Sequence, residues 1–279
     1  MRVLVTGAGG QLGVDMVKAF RGHDVVGLER SHVDITDRDS VLGALGAHRP
    51  DAVVNCAAYT AVDDCEDDVE TAYAVNALGV RWLNEGCEMI GAHLTHISTD
   101  YVFSGDKSTP YVEWDETGPR SAYGRTKLAG ETEVAPHHAI VRTSWLCGAG
   151  GHNMVKTILA LADSHPTMQF VDDQIGSPSF TDDIATVVRR LAIDRRSGVH
   201  HVTNQGAVSW YEFARHVLDA AGHDPDRVEP ITTAELVPAR PAPRPANSVL
   251  DNTVLRLAGL PLAPHFTESL GRLVHEVRQ

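Results

Sequence analysis

A tyrosine and a lysine stand four residues apart, at Tyr123 and Lys127. On a helix, residues at this spacing share a face, so the ammonium group would lie beside the phenol. A neighbouring cation favours the phenolate and lowers the pKa of a tyrosine from about 10. Such a tyrosine can donate a proton to a ketone oxygen as hydride reaches the carbon, or accept one in the reverse reaction. We therefore predict a helical pair that catalyses carbonyl reduction.

Three glycines, Gly7, Gly10 and Gly13, follow a short apolar run at the start of the chain. Glycines in this position allow a tight turn, close approach of the backbone to a pyrophosphate, and close packing of helix on strand. The N-terminus of the following helix stabilises the phosphates. A glycine-rich turn without a ligand is the alternative, but the position between a strand and a helix favours a dinucleotide site.

The second predicted strand ends at Glu29 and Arg30, where dinucleotide-binding folds distinguish NAD from NADP. An acid there can accept a hydrogen bond from a ribose 2′-hydroxyl, whereas an arginine can pair with a 2′-phosphate. Arg30 favours NADPH, with NADH, or an arginine that contacts only solvent, as the alternatives. Further residues along the expected path of the cofactor complete the predicted site: Asp34, Ile35, Ala57, Ala58 and Tyr59.

The fourth predicted strand ends in Ser98, Thr99 and Asp100. In open α/β sheets, ligands bind in the crevice outside the carboxyl ends of the strands. We therefore expect Thr99 to hydrogen-bond the same carbonyl oxygen as Tyr123. A strand-to-loop cap is the alternative for this short motif.

The elements that must position these residues follow an alternating pattern. Short β-branched runs are separated by stretches with helical spacing, which is typical of a parallel sheet with helices on both faces. We predict an α/β fold with a Rossmann-type, doubly wound parallel sheet. The predicted strands are Val3–Thr6, Asp24–Leu28, Asp51–Cys56, His93–Ser98 and Ala139–Arg142, and the predicted helices are Gln11–Phe20, Ser40–Ala47 and Glu70–Ile90.

The pattern loosens after about Trp145 into loops and shorter helices. A proline-rich stretch at Pro238–Ser248 cannot form a helix or a central strand. We predict a dinucleotide-binding domain at residues 1–145 and a smaller C-terminal substrate-binding lobe at residues 146–279, with a strand near 199–204 that returns to the first sheet. The predicted helices of this part are Asn153–Ala162, Ser209–Ala221 and Glu268–Val277.

The charge balance restricts the classes of partner. The chain has 279 residues and a formal net charge of -13, so its field repels polyanions, and we expect no nucleic-acid or membrane partner. The apolar runs are only strand-sized and the N-terminus does not match a signal peptide, which predicts a cytoplasmic protein. The four cysteines are far apart and without a CxxC motif, so neither a disulfide framework nor a zinc site is expected.

Clusters of acids and histidines are the candidate metal sites of this sequence. The acids at Asp63–Asp68 are expected to begin a helix, where they complement its dipole. The pairs His137–His138 and His200–His201 lack partner ligands in the sequence, so we predict no metal site. Arg244 could clamp a nucleotide diphosphate, with a surface arginine as the alternative.

Taken in order, these motifs resemble the extended short-chain dehydrogenase/reductases, and among them the dTDP-4-dehydrorhamnose reductase family. The resemblance covers nearly the whole chain. The matching segments are VTGAGGQLG at Val5–Gly13, AAYTAVD at Ala57–Asp63, AVNALG at Ala74–Gly79, STDYVFSG at Ser98–Gly105, YGRTKLAGE at Tyr123–Glu131, RTSW at Arg142–Trp145, GSPSFTDDIA at Gly176–Ala185 and RPANSVLDN at Arg244–Asn252.

The resemblance implies roles for particular residues. The family's catalytic residues match Thr99, Tyr123 and Lys127, and the last two also contact the cofactor. Some members bridge a dimer with magnesium through acids, one of which aligns with Asp15, but no further ligands can be placed here. The pyrophosphate turn matches Gly7, Gly10, Gln11, Leu12 and Gly13, and the sugar-contacting positions match Thr60, Val62, Thr99, Tyr101, Tyr123 and Trp145.

The resemblance implies an NADPH-dependent reductase, a monomer or homodimer, that converts dTDP-4-dehydro-L-rhamnose to dTDP-L-rhamnose. Alternatives are reduction of a related dTDP-deoxysugar, as in dihydrostreptose formation or antibiotic glycosylation, and an epimerase. A non-catalytic regulatory subunit like that of methionine adenosyltransferase is a further alternative. Dehydratases on this scaffold typically place a glutamate after Ser-Thr-Asp, where this chain has Tyr101, so a dehydratase is disfavoured.

Overall fold

The computed structural model describes residues 1–278. Its strands are β1 (Arg2–Thr6), β2 (Asp24–Leu28), β3 (Ala52–Asn55), β4 (His93–Thr99), β5 (Ala139–Thr143), β6 (Leu146–Cys147), β7 (Met168–Val171), β8 (Ile175–Gly176), β9 (Ser179–Phe180), β10 (Gly198–His201), β11 (Val208–Ser209) and β12 (Val228–Ile231). Its helices are α1 (Gln11–Ala19), α2 (Arg38–His48), α3 (Asp64–Asp67), α4 (Val69–Tyr73), α5 (Gly79–Ile90), α6 (Ala122–Thr132), α7 (Met154–Ser164), α8 (Thr181–Ile193), α9 (Trp210–Ala220), α10 (Thr253–Leu257) and α11 (Phe266–Val277).

Six strands form the central sheet, in the order β10-β5-β4-β3-β1-β2. All five pairings in this sheet are parallel. Every residue of β3 and β4 is buried, as expected for central strands covered on both faces. Helices α1 and α8 pack together, and α2 packs against α5. The predicted α/β fold with a doubly wound parallel sheet is confirmed.

The strand expected near residues 199–204 is β10, which pairs with β5 at the edge of the central sheet. Helix α8 packs against α1 and was not among the helices predicted from the sequence. The remaining C-terminal elements build a separate apolar core around α7, α9 and α11, with Phe213 and Phe266 buried within it. The division into domains at residue 145 stays a prediction.

The long helix expected over Glu70–Ile90 is instead interrupted. Helix α4 leads into a π-helical turn at Ala74–Leu78, from which α5 continues. Within the turn, Asn76 is buried and its side chain hydrogen-bonds both backbone groups of Tyr59, at 2.9 and 3.1 Å. The amide of Asn76 also donates to the Thr126 hydroxyl at 3.1 Å. Turns of this kind are frequent at functional sites, and this one fastens the loop after β3 to α6.

In the part of the chain that the structure describes, no helix combines the length and the apolar character needed to cross a membrane.

Candidate active site

A cleft runs along the carboxyl ends of β1, β3 and β4, where the chain passes from one side of β1 to the other. This is the switch point at which open α/β sheets bind ligands. Two adjoining cavities of about 480 and 470 Å³ make up the cleft and share Gly10, Cys56 and Ala58. A third cavity of about 630 Å³ lies between α9 and the start of α11, outside the cleft.

The glycine turn has no room for side chains. Gly7 has a φ of +65°, and a Cβ on it would lie 2.7 Å from the Ala57 backbone nitrogen. A Cβ on Gly13 would lie 2.1 Å from the Gly7 carbonyl oxygen. Gly10 precedes α1 and supplies no side-chain cap, so the first amides of this helix point into the cleft region without a partner from a cap. A backbone cradle of this shape fits a pyrophosphate.

Two of the non-glycine residues of the turn, Gln11 and Leu12, have structural contacts of their own. The Gln11 side chain joins the C-terminal part of the chain, because Nε2 donates to the His152 carbonyl at 2.9 Å and Oε1 accepts from Asn153 at 3.1 Å. Leu12 is buried in the core beneath the sheet. Only the backbone amides of Gln11 and Leu12 remain for a ligand.

The cavity of about 480 Å³ contains the residues expected along the cofactor. Arg30 is exposed at its mouth. Asp34 accepts hydrogen bonds from the Thr36 hydroxyl at 2.7 Å and backbone amide at 2.9 Å, and these bonds lower the pKa of the Asp34 carboxyl. The lining thus combines the Arg30 guanidinium with the carboxylates of Glu29 and Asp34, polar groups that suit the ribose of an adenosine. The other expected residues that line this cavity are Gly7, Gly10, Ile35, Ala57, Ala58 and Tyr59.

The second cavity contains the residues singled out for catalysis and for sugar binding. Thr99, Tyr123 and Lys127 all line it, and each is at most 9% exposed. Thr99 ends β4, and Ser121 caps α6 by accepting from the Gly124 amide at 3.1 Å, so strand and helix together aim these side chains at one volume. The expected sugar-contacting residues that line the same cavity are Thr60, Val62, Tyr101 and Trp145.

Burial governs the proton equilibria at this end of the cleft. It raises the pKa of the Tyr123 phenol, while a hydrogen bond with Thr99 acts in the opposite direction. The Lys127 ammonium donates to the Ile97 carbonyl at 2.6 Å, and burial lowers the pKa of Lys127 to about 8. The sequence predicted that Lys127 would lower the pKa of Tyr123, and the structure shows a raised pKa instead, because the buried phenol is desolvated and Lys127 is directed to the strand. Tyr123 is therefore protonated at neutral pH.

Two residues at this site were missed by the sequence reasoning. The Trp210 ring is stacked on Trp145 at 3.5 Å between centroids, with 7° between planes, and both line the cavity. Asp100 is 1% exposed, accepts from the Thr99 hydroxyl at 2.9 Å, and has a second carboxylate oxygen without a partner. Burial raises the pKa of Asp100 to about 6. The Ser-Thr-Asp motif could have indicated Asp100, whereas no local pattern links Trp210 to Trp145.

Arg244 is engaged within the protein. Its guanidinium pairs bidentately with Asp63, at 2.5 and 2.8 Å, and the Ala242 amide donates to the same carboxylate at 3.1 Å. These bonds lower the pKa of Asp63 against the opposing effect of burial. The proline-rich segment is thus fastened beside the loop that carries Thr60 and Val62, and the proposed diphosphate contact of Arg244 would require this pair to open.

Potential metal ligands have other partners. Asp15 accepts from the Thr181 hydroxyl at 2.5 Å and pairs with Lys18 at 2.9 Å. Glu88 lies against both His137 and His138, at 2.7 and 3.1 Å, so this histidine pair has the partner that the sequence did not reveal. The Nδ1 atom of His138 accepts from the Leu94 amide, so Nε2 carries the proton of the neutral ring and has no lone pair to offer a metal.

Comparisons with known proteins show the family to which the chain is similar. It matches the family model described as RmlD substrate binding domain over residues 1–279. A dTDP-4-dehydrorhamnose reductase of Streptomyces griseus is 45% identical over 280 residues, covering 96% of this chain and 91% of the relative. A dTDP-4-keto-6-deoxy-D-glucose reductase of Streptomyces niveus is 41% identical over 275 residues, covering 96% and 95%. The crystal structure of a dTDP-4-dehydrorhamnose reductase from Bacillus anthracis in complex with NADP superposes with a TM-score of 0.94 at 38% identity and covers 99% of both chains.

Proposed function

The chain belongs to the dTDP-4-dehydrorhamnose reductase family, and on this premise we propose that it reduces the 4-keto group of dTDP-4-dehydro-L-rhamnose with NADPH to give dTDP-L-rhamnose. The observation that carries the proposal is the position of Thr99, Tyr123 and Lys127 around one cavity, which adjoins the cavity beside the glycine turn. This arrangement supports a proton donor that lies next to the cofactor.

Each catalytic residue has a distinct role in this proposal. NADPH supplies the hydride when bound. Tyr123 donates the proton to the ketone oxygen, and its raised pKa keeps the phenol protonated until that transfer. Thr99 orients the ketone through its hydroxyl at the end of β4. Lys127 contacts the nicotinamide ribose and restores the proton of Tyr123, from one helical turn away on the same face.

The two parts of the chain contribute differently to the binding of cofactor and substrate. We assign residues 1–145 to the dinucleotide and residues 146–279 to the substrate-binding lobe. The pyrophosphate is held by the amides of the turn at Gly7, Gly10, Gln11, Leu12 and Gly13. The dTDP-sugar contacts Thr60, Val62, Tyr101 and Trp145 at the edge of the first part, and the C-terminal lobe adds Trp210. The stack of Trp210 on Trp145 offers a flat apolar wall to a deoxysugar.

The deciding experiment follows the absorbance of NADPH and NADH in the presence of enzymatically prepared dTDP-4-dehydro-L-rhamnose, with the product identified by mass and chromatography. We expect NADPH oxidation with formation of dTDP-L-rhamnose. Oxidation only with another dTDP-4-keto sugar would move the assignment to a related pathway. Cofactor binding without turnover on any such sugar would favour the regulatory subunit, and sugar interconversion without net oxidation would favour an epimerase.

Arg30 is expected to set the preference for NADPH. Its exposed guanidinium lies at the mouth of the cavity beside the glycine turn, where it can pair with a 2′-phosphate. Arg30→Ala should lower kcat/KM for NADPH about tenfold, because a hydrogen bond to a charged group contributes about 1.5 kcal/mol or more. The value for NADH should change little, and so should both values in the control Arg21→Ala. Equal losses with both cofactors would assign Arg30 a different role.

Gly13→Ala tests the glycine turn. The added Cβ would lie 2.1 Å from the Gly7 carbonyl oxygen, so the backbone of the turn must move. Overpacking of this kind costs about 1–3 kcal/mol, and we expect NADPH affinity by calorimetry to fall about tenfold or more. Gly43→Ala in α2 is the matched control, since a Cβ there has no atom within 4 Å. If both variants bind NADPH like the wild type, the turn is not the pyrophosphate site.

We further propose that the protein acts in the cytoplasm as a monomer or homodimer. The strand-sized apolar runs of the sequence support the location. Sedimentation of the purified chain would decide between the two oligomeric states.

A further inference from the structure

A chain of buried polar groups lies directly behind Lys127. It begins at Asn55 at the end of β3, continues through His96 in β4, and ends at the Lys127 ammonium. All three side chains are at most 2% exposed. The contacts among these three side chains lie behind the surface of the cleft that a substrate would touch. They can therefore act on the reaction only through Lys127.

The orientation of the Asn55 amide is fixed by its neighbours. The Asn55 oxygen accepts from the Ala57 backbone amide at 3.1 Å and from the Thr6 hydroxyl at 2.7 Å. A backbone amide can only donate, so the atom facing it must be the oxygen. The Asn55 NH₂ group therefore points the other way, to Nδ1 of His96 at 3.0 Å.

This orientation decides where the proton of His96 is carried. Because Nδ1 accepts from Asn55, the neutral ring holds its proton on Nε2. Burial, and next to it the Lys127 charge, lowers the pKa of His96 well below its ordinary value, so the ring remains neutral. Nε2 lies 3.4 Å from the Lys127 nitrogen. The ring thus presents an N–H to Lys127.

An N–H facing Lys127 favours one protonation state of the lysine. An ammonium group can only donate hydrogen bonds. When Lys127 is protonated, its Nζ and the Nε2 of His96 are therefore two donors that face each other. The amine has a lone pair that can accept from His96 Nε2 while one of its own hydrogens continues to donate to the Ile97 carbonyl at 2.6 Å. We propose that His96 is a positioning residue that weakens the hold of Lys127 on its proton, so that Lys127 delivers a proton to Tyr123 in each turnover and regains one from water in the cleft that it lines.

The remaining titratable groups around Lys127 do not favour loss of its proton. Burial lowers the pKa of Lys127 to about 8, against Glu131, one turn further along α6, which favours the ammonium. The Cys56 thiol after β3 carries no charge in this pH range, because burial raises its pKa to about 12. His96 is the only neighbour we identify from β4 in the described chain that offers a hydrogen to Nζ. Loss of its N–H should leave the ammonium with Glu131 and the Ile97 carbonyl alone.

The test measures the titration of Lys127 by NMR on protein labelled with ¹⁵N at the lysine side chains. Only Lys18, Lys107, Lys127 and Lys156 contribute signals, and Lys127→Met assigns the relevant one. His96→Leu removes the N–H, and we expect the pKa of Lys127 to rise by about one or more, a tenfold or larger gain in proton affinity. His96→Gln retains an N–H at about the position of Nε2 and should keep the pKa near the wild-type value. An unchanged pKa in His96→Leu, or an equal rise in both variants, would overturn the proposal.

A second measurement uses the wild-type protein, so it does not depend on whether a variant folds. In the wild-type protein labelled with ¹⁵N-histidine, His96 should show a protonated Nε2 and an unprotonated Nδ1 at neutral pH. A proton on Nδ1 would overturn the proposal. Proton delivery to Tyr123 rests on the proposed function, and a third readout tests it: the alkaline limb of kcat should shift upward in His96→Leu and not in His96→Gln. If the proposed function fails, turnover is absent in every variant, whereas both NMR measurements still decide the role of His96.

Discussion

Tyr123→Phe should lower kcat for the reduction by about 10²-fold or more. The substitution removes the phenol oxygen that donates the proton and leaves the ring, which packs edge-to-face on Tyr101 at 5.5 Å. Because the ring volume is nearly unchanged, NADPH affinity and the melting temperature should stay close to those of the wild type. Steady-state kinetics with NADPH, together with calorimetric titration of the cofactor, would measure both quantities.

Tyr211→Phe is the matched control for this experiment. It removes the same oxygen from a tyrosine in α9, outside the cavity that holds Tyr123. The control should retain near-full turnover. Near-full turnover in Tyr123→Phe as well would refute the assignment of Tyr123 as proton donor, whereas equal losses in both variants would point to a general effect on the fold.

Glu131→Gln should have the largest effect on stability. Glu131 and Arg142 form a bidentate pair at 2.7 and 2.9 Å, with side chains 6% exposed on both sides, and the Ser98 hydroxyl donates to the same carboxylate at 2.6 Å. The substitution keeps the shape and leaves the Arg142 cation buried without its counter-ion. Breaking one side of a buried pair costs about 3–5 kcal/mol, which denaturant unfolding would measure.

The turn after α6 offers a control in solvent, where Glu133 pairs with Arg81 of α5. Arg81 and Glu133 form a bidentate pair with two contacts of 2.7 Å, but their side chains are 50% and 24% exposed. Exposed pairs contribute about 0–1 kcal/mol, so Glu133→Gln should change the free energy of unfolding little. If both glutamine variants lose the same amount of stability, burial does not control the strength of the Glu131–Arg142 pair.

Much of the fold follows from patterns within short windows of sequence. The strand over Asp24–Leu28 has the predicted bounds, and β1, β3, β4 and β5 differ from the prediction by one residue at one or both ends. The interrupted helix was not predictable in this way. The π-helical turn exists because Asn76 reaches Tyr59 and Thr126, which lie 17 and 50 residues away in the chain.

Three features of the site depend on local physics and are predictable from short stretches of sequence. The glycine turn is required by backbone sterics, the Tyr123–Lys127 pair by the period of a helix, and the position of Thr99 by the end of a buried strand. Their assignment to catalysis and cofactor binding stays a prediction until the variants are measured.

The charge and hydrogen-bonding state of these residues depends instead on contacts between distant parts of the chain. The period of a helix places Lys127 beside Tyr123 but gives no information on the Ile97 carbonyl and His96, which lie in β4, 30 and 31 residues earlier in the chain. Likewise, Trp145 meets Trp210 only through the packing of the C-terminal lobe. The physical reason is that a side chain's proton affinity is set by desolvation and by partners in space, whereas secondary structure is set largely by the spacing of neighbours along the chain.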